Sequence, residues 1–159
     1  ERDLPVAEVG ELLIRGPQVM LGYWNNPVAT SEAIRDGWLH TGDLASVNAA
    51  GFYRIVDRKK DLIITSGFNV YPADVEESLR GCECVADVAV VGVPDAERGE
   101  VVKAFVVLKQ GYNWEPKILT QYCKQHLAAH RRPRLWEHVT GDLPRNFLGK
   151  VLRRQLRDG

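Results

Sequence analysis

The chain contains the stretches Val85-Ala-Asp-Val-Ala-Val-Val-Gly-Val93 and Val101-Val-Lys-Ala-Phe-Val-Val-Leu108. Both are nearly continuous apolar runs, and a short polar segment separates them. Runs of this length that are rich in β-branched residues are typical of strands covered on both faces. The two runs therefore predict the centre of a sheet that is packed between other layers.

Helices are predicted on both sides of these strands. Pro72 suits the first position of a helix, acidic residues follow in its early turns, and Gly81 would end it. A second helix is predicted to begin at Pro116 and to stop before Pro133, because apolar residues recur at helical spacing between them. Two more elements complete this part of the chain, a strand over 135–140 and a basic helix over 151–157.

The first third of the chain carries β-like patterns instead. Strands are predicted over 11–15, 38–45 and 52–56, with a hairpin turn at 48–51. A short helix is predicted over 27–34, capped near Thr30 and Ser31.

A charged run over 57–61 follows, after which strands and helices alternate. Ser66 and Gly67 give a second hairpin signal between 62–65 and 68–70. The fold class is predicted as α/β (α+β), with a β-rich segment over 1–57. We expect 58–159 to form a small domain that has a central sheet, flanking helices and a β-hairpin.

Composition excludes several classes of protein. Lys plus Arg and Asp plus Glu each number 21, so the overall charge gives no reason to expect nucleic acid as a partner. The cysteines have neither metal nor disulfide spacing, and no apolar stretch approaches the roughly 18 to 20 residues of a membrane span. We expect a cytoplasmic location, with peripheral membrane contact left open. Because the chain begins without an initiator Met, we interpret it as a segment of a longer protein.

Four side chains or turns have chemistry that suits a nucleotide ligand, although each also has a simpler explanation. Asp43 can accept hydrogen bonds from two ribose hydroxyls, or it is an ordinary turn residue. Arg58 can hold ribose or phosphate oxygens, or it lies in a solvated turn. Gly67 permits close approach of a ligand, or it serves only the hairpin. Lys150 is a cation presented by a loop, or a surface lysine.

Three ordered segments, 37–44, 57–72 and 146–154, change this balance. They resemble the C-terminal signature set of the adenylate-forming superfamily, which includes acyl-CoA synthetases, nonribosomal peptide adenylation domains and beetle luciferases. Within that superfamily, 98–105 and 147–154 are most similar to long-chain fatty acyl-CoA synthetases. The resemblance covers nearly the whole chain. It implies that 1–57 is the β-rich end of a large N-terminal domain and that 58–159 is a mobile C-terminal domain.

The resemblance also implies a role for each matching residue. Asp43 and Arg58 would bind the ATP ribose, Lys60 would be the hinge between the two domains, and Lys150 would be the adenylation lysine. The remaining residues would serve thioester formation with CoA: Ser66, Gly67 and Phe68 on the hairpin that lines the pantetheine tunnel, and Arg98 near CoA.

The implied ligands are ATP and AMP, CoA and a carboxylic acid. In the family Mg²⁺ accompanies ATP, but its ligands and the phosphate loop would lie upstream of this chain, which is therefore expected to be inactive alone. Two other functions stay open. One is an adenylation domain that loads an acid onto a carrier protein, and the other is a noncatalytic interaction module with a basic tail.

Overall fold

The computed structural model describes residues 3–158. The chain divides into two compact units, and the division falls between Lys60 and Asp61. Residues 1, 2 and 159, which the predicted domain ranges include, lie outside the described residues.

The first unit is built around one long strand. Antiparallel pairing joins this strand, β3, to β1, β2 and β4, and the unit carries one short helix. The elements are β1 (Gly10–Ile14), α1 (Pro27–Ala33), β2 (Ile34–Arg35), β3 (Trp38–Val47) and β4 (Tyr53–Arg58). The predicted β-rich character of this segment is confirmed.

Two details of the first unit differ from the prediction. The cap of α1 is Asn26, whose Oδ1 accepts a hydrogen bond from the Ala29 amide at 3.0 Å, whereas Thr30 lies inside the helix. Predicting the cap at Thr30 and Ser31 was therefore wrong. Strand β4 continues through Arg58, so the charged run does not begin as a solvated turn, and Asp57 is buried.

The second unit has a five-stranded sheet with helices packed on it. The strands lie in the order β6, β5, β8, β7, and β9 runs parallel to β8. The elements are β5 (Ile63–Thr65), β6 (Phe68–Val70), α2 (Pro72–Arg80), β7 (Val85–Asp95), β8 (Gly99–Leu108), α3 (Pro116–His126), β9 (Leu135–His138) and α4 (Arg153–Asp158). The predicted helix starts at Pro72 and Pro116 and the cap at Gly81 are confirmed.

Strands β7 and β8 carry buried side chains on both faces. On one face, residues such as Val88 and Val90 share a core with Leu79 of α2 and Leu119 of α3. On the other face a smaller core contains Ala89, Val91, Phe105 and Leu143, with Val151 and Leu156 packed against it. The apolar runs thus predicted the layering correctly. Among the described residues, none of the helices is both long and apolar enough to cross a bilayer.

The last helix begins later than predicted. Val151 pairs with Arg145 in an isolated antiparallel bridge, and the Leu152 amide donates to the Pro144 carbonyl at 2.8 Å. These bonds hold 151–152 in extended backbone, so α4 starts at Arg153 rather than at Val151.

Candidate functional site

Asp43 and Arg58 face each other across two antiparallel strands. They are register partners on β3 and β4, and Arg58 Nε lies 2.8 Å from Asp43 Oδ1. Directly opposed side chains in a sheet are close enough to pair. The register therefore brings together the two residues that were predicted to bind ribose, and both stay partly exposed, with 28% of the Asp43 side chain accessible.

Glu11 of β1 supports the Gly42 turn that precedes Asp43. Its Oε1 accepts from the Gly42 amide at 3.3 Å, and its Oε2 lies 2.8 Å from Lys59 Nζ and 3.4 Å from His40 Nδ1. Burial acts to raise the pKa of Glu11, but the hydrogen bonds from Lys59 and His40 outweigh burial and hold that pKa below its ordinary value. Sequence reasoning missed Glu11, because the β1 to β3 pairing that brings it here is not a local signal.

Ser66 and Gly67 form a two-residue turn between β5 and β6. Their φ angles are +49° and +81°, and Thr65 pairs with Phe68 across the turn. Positive φ at both central residues is the arrangement that suits a tight hairpin. A Cβ built on Gly67 would meet nothing within 4 Å, so the space beside this residue is open. The predicted hairpin is confirmed, and its tip is exposed.

Arg98 and Phe68 both belong to this hairpin region. The Arg98 carbonyl accepts from the Ser66 amide at 2.9 Å, and Arg98 Nη1 lies 3.4 Å from Ser66 Oγ. The Phe68 ring stacks on His130, with 4.7 Å between the ring centroids. The four residues that were predicted to serve thioester formation are thus brought together, and His130 joins them without having been predicted.

Lys150 is exposed and lies at the end of a tight loop over 145–151, here called the lysine loop. Asn146 organises this loop from within. Its Oδ1 accepts from the Leu148 amide at 3.0 Å and from the Lys150 amide at 2.9 Å, and its own amide donates to the Lys150 carbonyl at 2.9 Å. Gly149 has φ +78°. Hydrogen bonds therefore fix the backbone of Lys150, whereas its side chain is exposed to solvent.

Two arginines flank Lys150 and tie the surrounding chain to the sheet and helices. Arg145 pairs with Asp87 of β7, and Arg145 Nη1 donates to the Gly149 carbonyl at 2.6 Å. Arg153 Nη2 contacts both carboxylate oxygens of the buried Glu76, at 2.8 and 2.9 Å. Glu76 Oε1 also accepts from the Val90 amide at 2.9 Å, on the open edge of β7. Sequence reasoning missed all of these contacts.

The structure gives less support to a role for the remaining candidates, which are Lys60, the cysteines and a metal site. Lys60, the predicted hinge, is exposed in a short 3₁₀ turn over Lys59–Asp61. Burial raises the pKa of Cys84 and that of Cys123 to about 11, which makes both poor nucleophiles. Within residues 3–158 no group of His, Cys, Asp and Glu side chains can hold a metal ion, so the described residues do not fit a Mg²⁺ site.

Comparison with known proteins shows which enzymes the chain is similar to. Residues 74–150 match a family model described as the AMP-binding enzyme C-terminal domain. A long-chain-fatty-acid--CoA ligase of Salmonella typhimurium is 49% identical over 158 residues, which make up 99% of this chain and 28% of that protein. Residues 74–150 thus belong to the C-terminal domain family of the AMP-binding enzymes.

Solved structures of adenylate-forming enzymes agree with the fold. MatB from Rhodopseudomonas palustris, with ATP bound, has a TM-score of 0.91 and 38% identity over 98% of this chain and 31% of its own. The o-succinylbenzoate CoA synthetase of Bacillus subtilis, in complex with its acyl-adenylate intermediate, has a TM-score of 0.88 and 40% identity. That match covers 100% of this chain and 33% of the synthetase. The chain thus spans about a third or less of each protein.

Proposed function

We propose that the chain is the C-terminal portion of an ATP-dependent acyl-CoA synthetase and that Lys150 acts in its first half-reaction. The observation that carries the proposal is the exposed ammonium group on a loop whose backbone is fixed by Asn146, inside the region that matches the AMP-binding enzyme C-terminal domain. The similar long-chain-fatty-acid--CoA ligase favours a fatty acid as substrate. The similar o-succinylbenzoate enzyme acts on another acid, so the acid class rests on sequence similarity alone.

The first half-reaction needs a positive charge. A carboxylate oxygen attacks the α-phosphate of ATP, a P–O bond forms, and pyrophosphate leaves with the electron pair of the bond that breaks. Both reactants are anions. An ammonium group about 4 Å away contributes on the order of 4 kcal/mol at an effective dielectric of 20. Because roughly 1.4 kcal/mol is a tenfold change in rate, losing even part of that contribution is costly.

The second half-reaction makes different demands. The CoA sulfur attacks the carbonyl carbon of the acyl-adenylate, a C–S bond forms, and AMP leaves as the acyl C–O bond breaks. Here an open path for the pantetheine arm matters more than an extra cation. The Ser66–Gly67 turn, with open space beside Gly67 and with Phe68 and Arg98 next to it, suits that task. Ribose contacts are assigned to Asp43 and Arg58.

We also propose that Lys60 is the hinge and that the charged run over 57–61 marks the domain boundary, which the sequence placed at 57/58. Lys59 and Lys60 are exposed, and the division into compact units falls directly after Lys60. Limited digestion of the full-length protein with trypsin should therefore cut first at these lysines. Stable protection of both lysines, with early cuts elsewhere in 1–159, would contradict the boundary.

The decisive test is Lys150→Ala in the full-length protein, with the two half-reactions assayed separately. ATP–pyrophosphate exchange should fall by roughly 10² to 10³, since one preorganised charged donor is lost. Thioester formation from a supplied acyl-adenylate and CoA should persist. Lys117→Ala, at an exposed position on α3, is the matched control and should change neither rate. Equal losses in both assays, or unchanged exchange, would remove Lys150 from the first step.

The two alternative functions that the sequence left open predict different results in these assays. A noncatalytic module would leave both half-reactions of the full-length protein unchanged in the Lys150 variant. A carrier-protein loading enzyme would form the adenylate normally but transfer the acyl group to a phosphopantetheinyl carrier in preference to free CoA. Measuring transfer to both acceptors separates these alternatives. The cytoplasmic location expected from the sequence stays a proposal, with peripheral membrane contact left open.

A further inference from the structure

We propose that Arg145 and Asn146 are positioning residues for Lys150, and that Asp87 on β7 is their anchor. The inference rests on the proposed function of Lys150 and adds a mechanism for it. These three residues would fix the peptide that precedes the lysine, so that the ammonium group is presented from one backbone position rather than from a freely moving loop.

The peptide between Gly149 and Lys150 is held at both ends by adjacent side chains. Its carbonyl oxygen, on Gly149, accepts from Arg145 Nη1 at 2.6 Å. Its N–H, on Lys150, donates to Asn146 Oδ1 at 2.9 Å. A peptide is planar, so fixing both of its polar groups fixes its orientation. The direction in which Lys150 leaves the backbone is then set by two residues next to each other in the sequence.

Asp87 connects this peptide to the central sheet. Its Oδ2 pairs with Arg145 Nη2, and its Oδ1 accepts from the Val88 amide at 2.9 Å. The pairing of β7 with β8 shifts register between Val85 and Asp87, and such bulges re-aim side chains. The contacts therefore run without a break from a buried strand through Asp87 and Arg145 to the Gly149 carbonyl.

Apolar packing contributes little to the tip of the lysine loop. Phe147 and Leu148 are 95% and 67% exposed, so they bury little surface in this unit. The tip is closed instead by the single bridge between Arg145 and Val151 and by the hydrogen bonds of Asn146. Because polar contacts determine its shape, removing them should displace Lys150 without unfolding the core.

Displacement of a reacting group by about 1 Å can lower a rate roughly 10²-fold. In the full-length protein, Arg145→Met and Asn146→Leu should therefore lower ATP–pyrophosphate exchange at least tenfold. Thioester formation from supplied acyl-adenylate should stay within about twofold. Asn146→Asp keeps an oxygen acceptor for the Leu148 and Lys150 amides, so it should restore most of the rate that Asn146→Leu loses. Arg134→Met, which removes an exposed guanidinium elsewhere in this unit, is the matched control.

Two results would overturn the positioning role. One is normal exchange in both Arg145→Met and Asn146→Leu, and the other is an equal fall in both half-reactions, which a purely structural lesion would produce. Asn146→Leu decides alone if Arg145→Met does not fold. Lys150→Ala is assayed in parallel: if it loses exchange while the two positioning variants keep it, only the positioning role is wrong. If Lys150→Ala keeps exchange, the proposed function itself fails.

Discussion

The Asp43–Arg58 pair and the lysine loop place charged groups in opposite ways. Strand register makes the pair, since the two residues are directly opposed on β3 and β4. Contacts between side chains and backbone make the loop, because Asn146 and Arg145 hold the peptide that carries Lys150. A sheet can thus bring two distant residues together, whereas a loop needs its own internal supports to fix one residue.

The two regions also differ in how their charges are used. Arg58 already neutralises Asp43 at 2.8 Å, so a ligand at that pair must share an existing contact. The Lys150 ammonium is exposed, and its fixed part is the backbone. Register therefore suits the ribose contact that we propose for the pair, and a supported loop suits the cation that we propose for the first half-reaction.

Beyond the Lys150 variant, the largest effect that tests this comparison is expected at the pair. Asp43→Ala and Arg58→Ala should each raise the KM for ATP roughly 10- to 100-fold, because hydrogen bonds to charged groups contribute about 1.5 to 3 kcal/mol. The measurement is the initial rate of pyrophosphate exchange against ATP concentration in the full-length protein. Arg54→Ala, on the same strand, is the control.

A reversed pair separates binding from structure. Combining Asp43→Arg with Arg58→Asp restores the attraction between β3 and β4, but it places a donor where ribose hydroxyls need an acceptor. We expect the KM for ATP to stay high in this double variant. Recovery of normal ATP affinity would mean that the pair only holds the strands together and does not contact the nucleotide.

Much of the architecture was predictable because its signals are local. The apolar runs at 85–93 and 101–108 predicted β7 and β8, and Pro72 and Pro116 marked the starts of α2 and α3. The Ser66–Gly67 turn was likewise predicted from its own residues. Candidate site residues were predicted from motif resemblance, which gives positions but not supports.

Most of the supports were not predictable, because they join residues far apart in the sequence. Asp87 and Arg145 are 58 positions apart, and Glu76 and Arg153 are 77 apart. Glu11 reaches Gly42 across 31 positions. Such pairs depend on sheet register and helix packing, which single-residue patterns do not encode. The lysine loop is the exception, because Arg145 and Asn146 contact backbone groups only two to four residues later. Asparagine often accepts from backbone amides a few residues later, and that signal is visible in the sequence.

A smaller effect is expected at the hairpin, where backbone conformation rather than side-chain contact sets the geometry. Gly67→Ala should cost about 1 to 2 kcal/mol of local stability, because φ +81° is unfavourable for a residue with a Cβ and no neighbour explains the glycine otherwise. We expect slower thioester formation from supplied acyl-adenylate, with pyrophosphate exchange retained.

Asparagine provides the matched control at the hairpin, since it tolerates positive φ better than alanine does. Gly67→Asn should therefore be more stable than Gly67→Ala in thermal unfolding of the full-length protein. If thioester formation is equally slow in both variants, open space beside Gly67 matters more than turn conformation. If pyrophosphate exchange falls as well, the hairpin also affects the first half-reaction. The proposed assignment of one half-reaction to the lysine loop and the other to the hairpin would then be wrong.

The smallest effect is expected at Glu11, which tests whether charge supports the strand-built pair. The lowered pKa of Glu11 means that its folded form favours the carboxylate. Its contribution to stability is thus present at pH values above the ordinary pKa of 4.5 and is lost as the pH falls through the lowered one. Glu11→Gln should lower the melting temperature at pH 7, and the difference from the parent protein should shrink in that acidic window.

The expected size of this difference is at most about 1 kcal/mol, because Lys59, the nearest cation, is largely exposed and exposed ion pairs contribute little. The amide side chain introduced by Glu11→Gln would still offer an oxygen to the Gly42 N–H, so the variant removes the charge and keeps one hydrogen bond. Glu32→Gln, at an exposed position of α1, is the control and should show no such pH dependence. A melting difference that stays constant from pH 7 down to pH 3 would show that shape rather than charge supports the Gly42 turn. The position of the Asp43–Arg58 pair would then depend on strand register alone, whereas the position of Lys150 depends on polar side-chain contacts.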